Sequence, residues 1–160
     1  MAHWQQYNIE ERLQLLDIAS SEKNLPKLAI EKDWWVTMVL KALSQTQYSN
    51  LFSFKGGTSL SKGWSLIERF SEDVDIAIKR DGRFAITGTS NTQLAKARRT
   101  ARHYVVRELP AELEDILRSF GVSDFNILLS GKTQNRIKSL SELLYNQGFG
   151  LFHDKSKPPN

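Results

Sequence analysis

Asp73 and Asp75 are separated by one residue in Glu72-Asp73-Val74-Asp75-Ile76-Ala77-Ile78-Lys79, and ahead of them the chain reads Phe54-Lys55-Gly56-Gly57-Thr58-Ser59-Leu60-Ser61-Lys62. On an extended strand alternate residues share a face, so the two carboxylates project together, with Cα atoms roughly 6–7 Å apart. Hard oxygen donors at that spacing suit Mg²⁺, which takes one or two carboxylates and completes its shell with water and phosphate. Glycines let backbone amides approach a polyphosphate closely, and the start of a helix favours anions through its unpaired N–H groups and its dipole. Gly56, Gly57, Thr58 and Ser59 are therefore candidate triphosphate ligands. Lys62 stands one turn further on, and Lys55 and Arg69 are additional cations within plausible reach. With two metal ions bound, one activates an acceptor hydroxyl while the other stabilises a pyrophosphate leaving group. Glu72 faces away from the aspartate pair and reads as a surface acid.

Those residues need a frame. Ile9, Leu13, Leu16 and Ala19 recur at helical spacing and predict an amphipathic helix that breaks at Asn24–Pro26. From Lys27 to about Ser44 a second helix carries apolar residues nearly all round, including Trp34, Trp35, Val36, Val39 and Leu43, and should be largely buried. Leu51 to Phe54 reads as a strand ending in the Gly-Gly turn, with Thr58 or Ser59 capping the helix that follows. Asp73 to Lys79 alternates, with Asp73, Asp75, Ala77 and Lys79 on one face and Val74, Ile76 and Ile78 on the other. Asp81-Gly82 opens a loop to Thr92; Gln93 to Arg107 forms a helix; Pro110 restarts another, which stops at Gly121. Asp124 to Ser130 is a further candidate strand.

Composition narrows the choices. The 160 residues are 40% hydrophobic, enough for one core, and include no cysteine, which excludes disulfides, thiolate zinc sites and a cysteine nucleophile. A reducing cytoplasm is consistent with that, and no apolar run approaches the roughly 20 residues needed to span a bilayer, so no membrane partner is expected. The formal net charge is +4, with Lys96, Arg98, Arg99, Arg102 and Arg107 gathered on one predicted helix. Such a helix either attracts polyphosphate or RNA or is simply a solvated face. Gly131-Lys132-Thr133 has no glycine turn before it and is not a phosphate loop, and His3, His103 and His153 are scattered.

Three segments together, Glu31-Lys32-Asp33-Trp34-Trp35-Val36-Thr37, Phe54 to Lys62 as quoted, and Leu66-Ile67-Glu68-Arg69-Phe70-Ser71-Glu72-Asp73-Val74-Asp75, resemble the AbiEii/AbiGii toxin family of nucleotidyltransferases over roughly residues 9 to 80. The resemblance implies a helix-rich α/β (α+β) fold like the DNA polymerase beta-type core, a small mixed sheet flanked by helices. It implies a nucleotidyltransferase-like domain, expected over residues 1–147 and incomplete at its C-terminal side, while the glycine and proline interruptions after Gln147 make 148–160 an expected disordered tail. It assigns triphosphate binding to Gly56, Gly57, Thr58 and Ser59, and Mg²⁺ binding to Asp73 and Asp75. A cytoplasmic toxin of a toxin–antitoxin or abortive-infection system follows. Such a protein moves a nucleoside monophosphate from a nucleoside triphosphate to a hydroxyl acceptor such as tRNA, beside a cognate antitoxin encoded nearby. Spacing alone leaves Lys32 and Asp33 as an exposed ion pair or packing boundary.

The pattern is incomplete at one point. The superfamily supplies a third carboxylate from a later strand, but Phe125 to Ser130 contains no acid, Asp124 sits at its edge, and Glu142 lies in a stretch that reads as helix. A shortened family member is the expectation. Two outcomes stay open: an active transferase, or a catalytically inactive remnant that binds nucleotide or RNA.

Overall fold

The computed structural model describes residues 6–64, 74–122, 125–127 and 144–145. Asp73, Arg69, Glu72, Asp124, Glu142 and the tail expected over 148–160 lie outside the described residues.

Helix α1 spans Ile9–Lys23. Asn8 caps it, accepting from the Glu11 N–H at 2.9 Å while Glu11 returns a carboxylate to the Asn8 N–H at 2.8 Å, so two otherwise orphaned donors are satisfied. Asn24 in the left-handed region (φ 51°) ends it. Its apolar stripe is only partly used, because Leu16 is buried whereas Ile9 and Ile18 are more than half exposed. Helix α2, Lys27–Leu43, is the spine of the domain. Val36, Met38, Val39, Ala42 and Leu43 enter the core, and Trp34, Trp35 and Leu40 pack against it.

Strand β1, Phe52–Lys55, pairs antiparallel with β2, Asp75–Ile78, with Phe52 opposite Ile78, Phe54 opposite Ile76 and Lys55 opposite Asp75. The register places Phe52, Phe54, Ile76 and Ile78 on one face of the ribbon, where they pack on the core, with Val74 buried just before β2. Over Val74 to Ile78 the expected alternation therefore holds, and Asp75 is on the face turned from the core.

The segment after β2 is less loose than its glycines suggest. Asp81 accepts from the Gly82 N–H at 2.7 Å, a 3₁₀ turn forms at Gly82–Phe84, and Phe84 is buried. Helix α4, Asn91–His103, opens on a second reciprocal cap between Ser90 and Gln93. It does not stop before Pro110. A π turn over Tyr104–Glu108 carries the chain into α5, Leu109–Ser119. The reason is steric: proline removes one N–H and its ring crowds the carbonyl four residues back, and the wider π turn accommodates both without breaking the helix. Tyr104, Val105, Leu109, Leu113 and Leu117 line the inner side of this continuous element.

A second antiparallel pair joins β3, Asn126–Ile127, to β4, Leu144–Tyr145. Leu144 and Tyr145 are in extended pairing, and Glu142 lies outside the described residues.

Candidate nucleotidyltransferase site

The glycine motif and the acidic strand meet. β1 ends at Lys55 in extended conformation and the chain turns directly into α3, Gly56–Thr58, followed by a π turn at Ser59–Gly63. The helix thus begins at Gly56, so neither Thr58 nor Ser59 caps its start, and Lys55 at the cap position makes no side-chain cap bond. Gly56 has φ 77°, a conformation that other residues rarely adopt. A β-carbon there would collide with Oδ2 of Asp75, which the strand register sets beside the turn. Glycine is needed at this position both for its dihedral angle and for the carboxylate.

Asp75 is half-buried, and among the described residues no ion pair engages its carboxylate. A hard-oxygen donor set against side-chain-free backbone, at the first N–H groups of a helical segment, fits a divalent cation with phosphate bound to it. The described residues contain no group of three or more His, Asp or Glu side chains positioned to share a metal. Within this arrangement Gly57 and Ser59 follow Gly56 along the helix. Ser59 is buried, and its carbonyl closes the π turn by accepting from the Trp64 N–H at 3.2 Å.

Lys62 has a partner that sequence spacing could not supply. Its Nζ lies 2.8 Å from Asp33 Oδ2 and 3.0 Å from Thr37 Oγ1, both on α2, while Thr37 also donates to the Asp33 carbonyl. Asp33 and Thr37 thus enter the neighbourhood of the glycine turn from 29 and 25 residues away. The one signal that pointed to them was their inclusion in Glu31-Lys32-Asp33-Trp34-Trp35-Val36-Thr37. Beside Lys62 and Gly63 opens a cavity of about 350 Å³, walled mainly by Leu40, Leu43, Phe52, Phe54 and Ile76.

Two other ionisable groups are perturbed. Glu31, on α2, is buried, and desolvation raises its pKa above the ordinary carboxylate value, opposed by the positive charge of Arg12. Glu108 is held down to about 2, chiefly by hydrogen bonds from Arg83 at 2.6 Å to each carboxylate oxygen, with His103 Nδ1 adding a contact at 3.0 Å. This cluster links the Gly82–Phe84 turn to the end of the π turn.

A short antiparallel ribbon backed by helices, with a glycine turn against an acidic strand, is a helix-rich mixed α/β arrangement consistent with a nucleotidyltransferase-like fold. The model of the AbiEii family, described as nucleotidyl transferase AbiEii toxin of type IV toxin–antitoxin systems, matches residues 39–153, and the chain belongs to that family. The match takes in the glycine turn and acidic strand and continues well beyond residue 80, while the Glu31–Thr37 segment precedes it. No curated protein and no solved structure matches the chain significantly. Among the described residues no helix is long and apolar enough to cross a membrane.

Proposed function

We propose that this toxin-family domain transfers a nucleoside monophosphate from a nucleoside triphosphate to a hydroxyl of tRNA. Asp73 and Asp75 hold Mg²⁺, and Gly56, Gly57, Thr58, Ser59 and Lys62 hold the triphosphate. The observation that carries this reading is the contact between Asp75 and the bare backbone at Gly56. The turn and a carboxylate stand side by side, so a triphosphate held by the turn would have Asp75 at hand for the divalent cation it carries.

Mg²⁺, when bound, supplies Lewis-acid stabilisation of charge on the phosphate oxygens. The chain's own contribution is positional. Helix-start N–H groups orient the triphosphate, and Asp75 is fixed by its cross-strand register with Lys55. Lys62 exchanges part of its contact with Asp33 for a phosphate oxygen. The acceptor oxygen forms a bond to the α-phosphorus as the bond to the pyrophosphate oxygen breaks, pyrophosphate leaves with the electron pair, and the hydroxyl proton passes to solvent. A cognate antitoxin opposes this activity in the cell.

The test is incubation with each labelled nucleoside triphosphate, Mg²⁺ and bulk tRNA, comparing the parent with Asp75→Asn. Transfer by the parent and a loss of roughly 100-fold or more in the variant, about 3 kcal/mol of transition-state stabilisation, is the expected result. Equal labelling by both proteins rules out the assigned role of Asp75. Mg²⁺-dependent triphosphate binding by calorimetry with no transfer to any RNA marks a binding domain rather than an enzyme.

A further inference from the structure

The outer face of α4 bears Lys96, Arg98, Arg99 and Arg102, with Arg107 following on the π turn, and all five are exposed. Among the described residues none of the five forms an ion pair. No acid occurs between Asp81 and Glu108, and Glu108 is already committed to Arg83 and His103. The inner side of the helix is fixed by Ala101 and Tyr104 on the core that also receives Ile76 and Ile78, so the cationic face and β2 belong to one packed body.

We propose that this face docks the phosphate backbone of the RNA acceptor; the identity of the polyanion as the acceptor rests on the transferase reading above. Three features favour RNA over a protein or a membrane. Lys96 to Arg107 extends about 16 Å along the helical element, enough to follow several consecutive phosphates. Four of the five cations are arginine, whose planar fork matches phosphate oxygens in a bidentate manner. The exposed positions of α4 are Asn91, Thr92, Gln93, Ala95, His103 and the charged residues, with no large apolar side chain and no Phe, Tyr or Trp. Protein interfaces are anchored by buried aromatic residues, and surface-bound membrane helices by an apolar face; neither exists on this side of α4.

The experiment measures binding of fluorescently labelled bulk tRNA to the full chain across a salt series, without triphosphate. The parent should show a steep linear dependence of log affinity on log salt. Arg98→Gln/Arg99→Gln/Arg102→Gln should lose at least about tenfold in affinity, with a slope shallower by about 2–3, since each phosphate contact contributes about 0.7–0.9 to it. The corresponding triple lysine variant keeps its charge and should keep most of the slope, which separates charge from any effect on folding. Asp75→Asn should bind tRNA like the parent, so a failure of the transferase reading leaves this measurement intact. Unchanged affinity and slope in the glutamine variant overturn the proposal, as does tighter binding of the parent to phosphatidylserine vesicles or to polyglutamate than to tRNA.

Discussion

Gly56 and Asp75 are in mutual contact across the end of the β1–β2 ribbon, the glycine with φ 77° and the carboxylate occupying the space a β-carbon would need. Gly121 has a nearly identical φ of 79° with nothing near its β-carbon position. The pair of glycines therefore separates two costs that usually occur together. Gly121→Ala should lose about 1–2 kcal/mol from left-handed backbone strain alone. Gly56→Ala should lose more, because Asp75 must also move, and should weaken triphosphate binding. Urea denaturation of both variants, with calorimetric titration of a triphosphate, checks this; equal losses exclude the contact with Asp75.

The Asp33–Lys62 pair is only partly screened from water, with side chains 43% and 27% exposed. A double-mutant cycle using Asp33→Ala and Lys62→Ala should give a coupling in folding stability of no more than about 1 kcal/mol. The effect on triphosphate affinity should be larger for Lys62→Ala than for Asp33→Ala, since only the lysine contacts phosphate in the proposed site. The reverse order argues that Lys62 serves solely to tie the turn to α2.

Glu108 makes a testable contribution to acid stability. Its carboxyl pKa falls from its ordinary 4.5 to about 2 through the Arg83 hydrogen bonds first and His103 after them. A depressed folded-state pKa gives stability that is complete above 4.5 and lost as the pH falls towards 2. Glu108→Gln should accordingly flatten the decline in unfolding free energy between those values, measured by urea denaturation in a pH series. A decline as steep as in the parent assigns the acid sensitivity to other carboxylates.

Tyr104 is 1% exposed and sits among aromatic rings, with centroids 5.1 Å from Tyr48, 5.5 Å from Phe84 and 6.3 Å from Phe52. Its hydroxyl donates to Glu112 at 2.9 Å, and the same carboxylate accepts from the Gln47 N–H. Burial, reinforced by that bond, raises the phenol pKa. Tyr104→Phe should cost about 1.5–3 kcal/mol, the usual range for a hydrogen bond to a charged group. Tyr104→Ala should cost about 3–5 kcal/mol by leaving a cavity where three rings converge. Thermal denaturation of the two variants tests the ranking.

Glu31 should behave in the opposite sense to Glu108. Desolvation raises its pKa, so the ionised form costs folding stability that is regained as pH falls through the raised value towards the ordinary 4.5. Glu31→Gln should match or exceed the parent in stability at neutral pH and lose that advantage near pH 4. A variant that is less stable at neutral pH shows instead that Arg12 more than offsets the burial.

The residues that alternate or recur with a fixed period were legible in the sequence. Val74, Ile76 and Ile78 turn to the core because a strand repeats every two residues, and the same rule turns Asp75 away from it. The turn at Gly56 and the rich apolar face of α2 were readable for similar local reasons. Capping signals were readable too, yet the helix after β1 starts at Gly56 itself. Backbone freedom at glycine outweighed the hydroxyl preference of Thr58 and Ser59.

What tertiary structure decided is which distant groups meet. Nothing local to Lys62 specifies Asp33 and Thr37, and nothing near Arg83 specifies Glu108, 25 residues away. The burial of Phe84 within a hydroxyl-rich loop and the continuation of the helix through Pro110 depend on the same packed aromatic cluster. Side-chain periodicity is set by backbone geometry within a few residues, so the sequence alone determined the acidic strand, the glycine turn and their order. The closeness of Asp75 to Gly56 comes from strand register, which is settled when the apolar face of the ribbon seats on α2 and α5 and excludes water.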